Sequence, residues 1–137
     1  MSAAKPAILD TSVYIDNLRS GRFKREILEL PFLVRCSAVV LAELSRGARS
    51  REMRKFVDDL AKNVQVITPN EREWVTSGRL VSRIVEAKGY DIHKTREIHF
   101  DVLIALTARR IGAVVITCNA ADFQAIRQFI GFKLLCW

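Results

Sequence analysis

At 137 residues, half of them apolar, the chain has the length of one domain, residues 1–137, and enough apolar sequence to exclude a disordered segment. Lysine and arginine exceed aspartate and glutamate by 22 to 15, and the formal net charge of +7 attracts polyanions, of which nucleic acid is the commonest. No apolar run approaches the roughly 20 residues a membrane span needs, and Met1-Ser2-Ala3-Ala4-Lys5 is too short and polar for a signal peptide, so no membrane role and a cytoplasmic location are expected.

Pro6-Ala7-Ile8-Leu9 predicts a short strand running into Asp10, with Thr11 or Ser12 able to cap a helix whose apolar side is Tyr14, Ile15 and Leu18. Phe23, Ile27 and Leu30 repeat at helical spacing before Pro31, and Phe32 to Cys36 predicts a second strand. From Ser37 to Gly47 a helix is apolar nearly all round and hence expected to be buried, with Glu43 inside it. An amphipathic helix over Ser50 to Lys62 and a brief strand at Val64 to Ile67 follow. Thr68-Pro69-Asn70-Glu71 combines a capping hydroxyl, a first-position proline and an early glutamate, and starts a long helix that directs Trp74, Val81, Ile84 and Val85 inward as far as Gly89. Tyr90 to Glu97 is expected to be a charged loop. Phe100 to Gly112 predicts a buried helix with Asp101 in its first turn, and Ala113 to Thr117 a β-branched strand. A last helix, about Ala120 to Phe129, and a final strand, Phe132 to Leu135, complete the chain.

Short apolar strands alternating with helices predict a three-layer α/β/α domain around a parallel sheet of about five strands, because parallel strands need crossover connections. Cys36, Cys118 and Cys136, odd in number and mostly in apolar surroundings, suit reduced thiols; no Cys-x-x-Cys or Cys/His pairing suggests zinc.

Four carboxylates interrupt apolar sequence at one structural level: Asp10, Glu43, Asp101 and Asp122. All are expected at the carboxyl edge of the sheet, where open α/β folds bind ligands. Taken singly, Asp10 and Asp122 could be helix caps and Asp101 a complement to a helix dipole. Glu43 resists such a reading, since Val39, Val40, Leu41, Ala42 and Leu44 surround it. Clustered carboxylates repel and raise one another's pKa unless a cation neutralises them. A hard divalent ion with oxygen ligands, Mg2+ or Mn2+, would do so and would also serve phosphodiester hydrolysis. An acid-lined metal site in a basic protein points to cutting nucleic acid.

Ile8-Leu9-Asp10-Thr11-Ser12, Ala42-Glu43-Leu44 with Gly47-Ala48, Asp101 with Ile104-Ala105, and Thr117-Cys118-Asn119-Ala120-Ala121-Asp122-Phe123 resemble the successive motifs of PIN-domain ribonucleases. In length and order the chain is most similar to the VapC-type toxins of toxin-antitoxin pairs. The resemblance implies Mg2+- or Mn2+-dependent endonucleolytic cleavage of RNA, restrained by a cognate VapB-like antitoxin. It maps Asp10, Glu43 and Asp101 onto the family's metal-site acids, Asp122 onto a fourth acid and Thr117 onto a hydroxyl within the site. Asn119 stands where some members have aspartate and could still coordinate through its carbonyl, which leaves the number of bound ions open. It also implies a homodimer and a hydrophobic groove near the early helices for an antitoxin segment; Leu18, Phe23, Ile27 and Leu30 are either its apolar lining or simply core.

Arg46 and Arg49, with Arg51, Arg54 and Lys55, are either a solvated face or a phosphate path toward the metal; Lys94 and Arg96 offer a second rim. His93 and His99 pair with nothing at a recognisable spacing, so surface or structural roles are expected. Two competing readings are a nucleic-acid-binding PIN-like module with weak or no cleavage, and a phosphoacceptor receiver-like domain. The second lacks an adjacent acidic pair after the first strand and an obvious late-strand lysine.

Overall fold

The computed structural model describes residues 4–137; Met1, Ser2 and Ala3, part of the polar start, lie outside them. Strand β1 (Pro6–Leu9) is apolar throughout and buried from Ala7 onward, as a strand covered on both faces must be. There follow α1 (Thr11–Ser20), α2 (Lys24–Leu28), β2 (Leu33–Ser37), α3 (Ala38–Gly47), α4 (Arg51–Asn63), β3 (Val66–Ile67), α5 (Glu71–Lys88), α6 (Ile92–Ile111), β4 (Val114–Thr117), α7 (Ala120–Arg127) and β5 (Lys133–Cys136). All five strands are parallel, in the order β3-β2-β1-β4-β5, and helices cover the sheet in the expected three-layer α/β/α arrangement.

The chain starts at the centre of this sheet, winds outward through β2 to β3, and then crosses back to place β4 on the other flank of β1. The carboxyl ends of β1 and β4 are therefore the switch point, where successive connections depart in opposite directions and leave a crevice. Register pairs Leu9 with Ile116, and the Asp10 amide donates to the Ile116 carbonyl at 2.8 Å. Asp10 and Thr117, 107 residues apart, consequently sit side by side at that crevice.

Ser37 and Ser50 cap α3 and α4 as their sequence context predicts, each accepting a backbone N–H with its side-chain oxygen. The long helix starts two residues later than the Thr68-Pro69 signal suggests. Asn70 accepts from the Glu73 amide at 2.8 Å and Glu73 accepts from the Asn70 amide at 2.9 Å, a reciprocal capping box, while the Thr68 carbonyl accepts from Arg110 Nη2. Gly89 and Gly112 end α5 and α6 with φ of 68° and 69°, a left-handed turn that side chains resist.

Two expectations are corrected. Tyr90 to Glu97 is not a loop: Asp91 accepts from the Lys94 amide and α6 begins at Ile92. Its first two turns lack an apolar stripe and are mostly exposed, so periodicity does not reveal them. Asp101 accordingly lies in the third turn of a 20-residue helix, about 15 Å from the cap at 1.5 Å per residue, and not in a first turn. Since α6 leads into β4, its amino end projects past the carboxyl edge of the sheet and walls the crevice.

Trp74, expected inside, is 51 % exposed. The inward stripe of α5 is Glu73, Ser77, Leu80, Val81 and Ile84, because Glu73 is drawn in by its cap and by Arg110, whose Nε lies 3.1 Å from both Glu73 oxygens. Trp74 then falls at the margin of that stripe, about 100° round the helix from Glu73, on the first turn where little packs over it. Trp137 does pack on the core, its ring centred 5.1 Å from that of Phe23. Helix α3 is less enclosed than expected, with Ala42 exposed and Glu43 half-buried. All three cysteines are free: Cys36 buried, Cys118 half-buried and Cys136 exposed. No helix among the described residues is long and apolar enough to cross a membrane.

Candidate metal centre

Each acid of the site is delivered by a different element. Asp10 ends β1, and although it holds the N-cap position of α1 its side chain makes no cap bond. Its Oδ2 instead accepts from Ser12 Oγ at 2.8 Å and from Thr117 Oγ1 at 2.9 Å. These hydroxyls are held in turn: Ser12 Oγ accepts from the Cys118 amide, and Thr117 Oγ1 from the Asn119 amide. Burial pushes the Asp10 carboxyl above its ordinary pKa; the Ser12 and Thr117 bonds oppose this, as do the nearby Thr11 and Ser12 amides, which are not placed to cap.

Glu43, in the second turn of α3, is fixed by Thr11 Oγ1, which donates to its Oε1 at 3.0 Å. Its pKa too is raised, first by desolvation and further by Asp10, with Thr11 and Arg46 pulling it down. Asp101 is 8 % exposed, and no side-chain hydrogen bond ties it among the described residues. Desolvation, then the charges of Asp10, Glu43 and Asp122, push its carboxyl up to about 9, while Lys94 acts in the opposite direction. That mutual influence places four carboxylates from four segments in one electrostatic neighbourhood.

Asp122, on α7, caps nothing. Its Oδ1 lies 2.6 Å from Lys94 Nζ, and its Oδ2 accepts from Lys94 Nζ and Asn119 Nδ2, each at 2.7 Å. Lys94 thus points into the crevice instead of standing free on a rim. Arg46 lies with its guanidinium 5.4 Å from the centre of the Phe100 ring, close enough to Glu43 to influence it. Arg49 donates to the Arg46 carbonyl and is exposed, as is Arg96. His99 meets Ser77 Oγ at 2.9 Å between α5 and α6, where burial lowers its pKa, and His93 is exposed; neither shares the acid site.

Sequence reasoning treats Thr11 and Ser12 as capping candidates and does not find their actual work, which is orienting Glu43 and Asp10. The signal lies in their position: two hydroxyls directly after an acid at the end of a central strand. Nor does it find the Lys94–Asp122 pair, whose members are 28 residues apart.

The donors converging here are carboxylate, hydroxyl and amide oxygens with no histidine or cysteine among them, a set suited to a hard ion such as Mg2+ or Mn2+ and unsuited to zinc. Among the described residues no three acids stand ready-made in coordinating array. Asp10 and Glu43 each present one oxygen to a hydroxyl, and Asp122 presents both to Lys94. The charges of Asp10, Glu43 and Asp122 nevertheless all act on the buried Asp101 carboxyl.

A parallel α/β domain with an acid cluster at its switch point defines a broad class. Within it the PIN domain model matches residues 7–128, and the chain belongs to the PIN domain family. Solved structures share the fold at low identity. VapBC-1 from nontypeable Haemophilus influenzae is 24 % identical with a TM-score of 0.68, covering 96 % of this chain and 98 % of that one. DNA-bound VapBC from Salmonella typhimurium is 22 % identical with a TM-score of 0.70, covering 98 % and 99 %. FitAcB from Neisseria gonorrhoeae is 19 % identical with a TM-score of 0.65, covering 94 % and 96 %. No curated protein sequence matches the chain significantly.

Proposed function

We propose that this PIN-domain protein is a Mg2+- or Mn2+-dependent endoribonuclease and the toxin of a VapBC-type toxin-antitoxin pair. The observation that carries the reading is the meeting of Asp10, Glu43, Asp101 and Asp122 at the switch point of a chain with net charge +7. PIN domains are generally nucleases, which supports it further.

Asp10, Glu43 and Asp101 would hold the ion, with Asp122 beside them. Bound there, a divalent ion supplies charge to a phosphoryl oxygen and an activated water for phosphodiester hydrolysis. Thr117 and Ser12 fix Asp10 through Oδ2, and Thr11 fixes Glu43 through Oε1. Such fixed orientation costs nothing at the moment of reaction. Arg46 and Arg49, on and just after α3, are placed to take the flanking phosphates of the strand.

Purified protein with Mg2+ or Mn2+ is expected to cleave RNA from total or transfer-RNA pools, and Asp10→Asn to abolish it while melting as a folded protein. RNA binding without scission by the wild type would favour a binding module instead. Each of Arg46→Ala and Arg49→Ala is expected to reduce the slope of log affinity against log salt by about one. An unchanged slope for both would place the phosphate path elsewhere.

An apolar groove lined by Ile15, Leu18, Arg19, Glu43, Leu44, Gly47 and Met53 opens between α1, α3 and α4 directly beside Glu43. Of the expected residues only Leu18 lines it, Phe23 lying in the core and Ile27 and Leu30 packing against that core; this groove is the antitoxin's proposed seat, beside the acid site. VapBC and FitAB neighbours support such a partner. Co-expression with the adjacent open reading frame is expected to yield a co-purifying small protein, and a homodimer is expected of the toxin itself.

A further inference from the structure

Asp122 differs from the other three acids in what its oxygens already do. Among the described residues no side-chain donor meets Asp10 Oδ1, Glu43 Oε2 or either Asp101 oxygen, the side-chain bonds of the first two falling on Oδ2 and Oε1. Asp122 has both oxygens met: Lys94 Nζ straddles them at 2.6 and 2.7 Å, and Asn119 Nδ2 adds a second donor to Oδ2. The carboxylate side chain is 9 % exposed and its lysine 32 %, so the pair is largely withdrawn from water. Separating a buried ion pair leaves an uncompensated charge and is strongly opposed.

The ammonium is itself held. The Lys94 amide is tied to the Asp91 cap at 2.8 Å, and Nζ stands 5.8 Å from the centre of the Tyr90 ring, within cation–π range, and 3.9 Å from Glu97. Asn119 fits the same design. Its amide nitrogen donates to Asp122, which a carboxylate at that position could not do, and an extra negative charge there would draw the ammonium away. A divalent ion drawn to Asp122 would have to share that carboxylate with an ammonium already within 2.7 Å of both oxygens, and the two positive charges repel.

We infer that Lys94 is a positioning residue that limits the site to one divalent ion: it holds Asp122 out of coordination and supplies, on the α7 side of the crevice, the positive charge a second ion would bring. The ion is then held by Asp10, Glu43 and Asp101. This rests on the metal-dependent reading above and narrows it, and binding measurements separate the two without reference to turnover.

Calorimetric titration of Mn2+ into the whole chain, with melting curves to confirm folding, tests it. The wild type is expected to take up one ion. Asp122→Asn should keep that ion within about threefold in affinity, whereas Asp101→Asn should weaken it by at least about tenfold, a loss of the size seen when metal-site groups are removed. Lys94→Gln should admit a second, weaker ion, and Lys94→Arg should restore a stoichiometry of one. Two ions in the wild type, an Asp122→Asn loss equal to that of Asp101→Asn, or one ion in a folded Lys94→Gln would each overturn the role of Lys94 and leave the metal centre standing. If Lys94→Gln does not fold, the Asp122→Asn comparison decides alone. A wild type that takes up no Mn2+ overturns both readings together.

Discussion

Asp101→Asn is expected to melt higher than the wild type in EDTA at pH 8, by at least about 5 °C, while losing the stabilisation that Mn2+ gives and about a thousandfold in RNA cleavage. The Asp101 carboxyl is pushed from 3.8 to about 9, by burial first and then by Asp10, Glu43 and Asp122. Between those pH values the folded chain binds a proton that the unfolded chain does not. Stability therefore falls as pH rises through the interval: the contribution is complete below about pH 3.8 and is lost as pH climbs through about 9. At pH 8 most of that interval has been crossed and the buried carboxyl weighs on the wild type, whereas asparagine has no proton to lose and the variant's profile falls less steeply, keeping only the contribution of the raised Asp10 and Glu43. Divalent-ion binding must run the other way. The ion needs the ionised carboxylate, so Mn2+ affinity of the wild type should rise with pH, by at most about tenfold per unit for each proton displaced. Differential scanning calorimetry with and without Mn2+ at pH 6 and pH 8 checks both signs. Identical melting of the two proteins at pH 8 in EDTA, or a variant that Mn2+ still stabilises, would show that Asp101 is neither strained by its neighbours nor a metal ligand.

The acids are legible in the sequence because each breaks an apolar run, and an apolar run next to a carboxylate can be recognised without knowing where the chain goes. The parallel sheet is legible for the same reason: β1 and β4 have no polar face to alternate. What escapes is anything set by a distant partner. Asp91 carries the cap of α6, yet the turns after it are exposed and polar, so the helix that holds Asp101 shows only its buried half to pattern reading. Lys94 looks like one more basic residue in a charged segment until α6 and α7 bring it against Asp122. Trp74 fails for a further reason. Hydrophobicity argues for burial, but Glu73 beside it is drawn inward by Arg110 and by the Asn70 capping box, and the indole is left at the margin of the buried face in the first turn.

That placement predicts which aromatic residue the fold depends on. Helix α7 has eight residues, far too few to be stable alone, so packing must hold it in place. Phe123 and Ile126, three apart, are completely buried, and Phe123 meets Phe132 edge-on with ring centres 6.3 Å apart at 71°. One residue earlier Asp122 turns to the crevice, so the contact that seats the helix also fixes one acid of the site. Phe123→Ala should cost about 3–5 kcal/mol, combining lost transfer energy with an unfilled cavity, against a total stability of about 5–15 kcal/mol for a domain of ordinary stability. Trp74→Ala removes a larger side chain from a half-exposed position and should cost less than about 1 kcal/mol. In urea the midpoint should fall by roughly 1–3 M for the phenylalanine variant and hardly move for the tryptophan variant, at m-values usual for a chain of this size. Equal losses would mean that the Trp74 indole is buried in the native protein. A small loss at Phe123 would mean that α7 is not seated by its apolar face, and the pairing of Asp122 with Lys94 would then need another anchor.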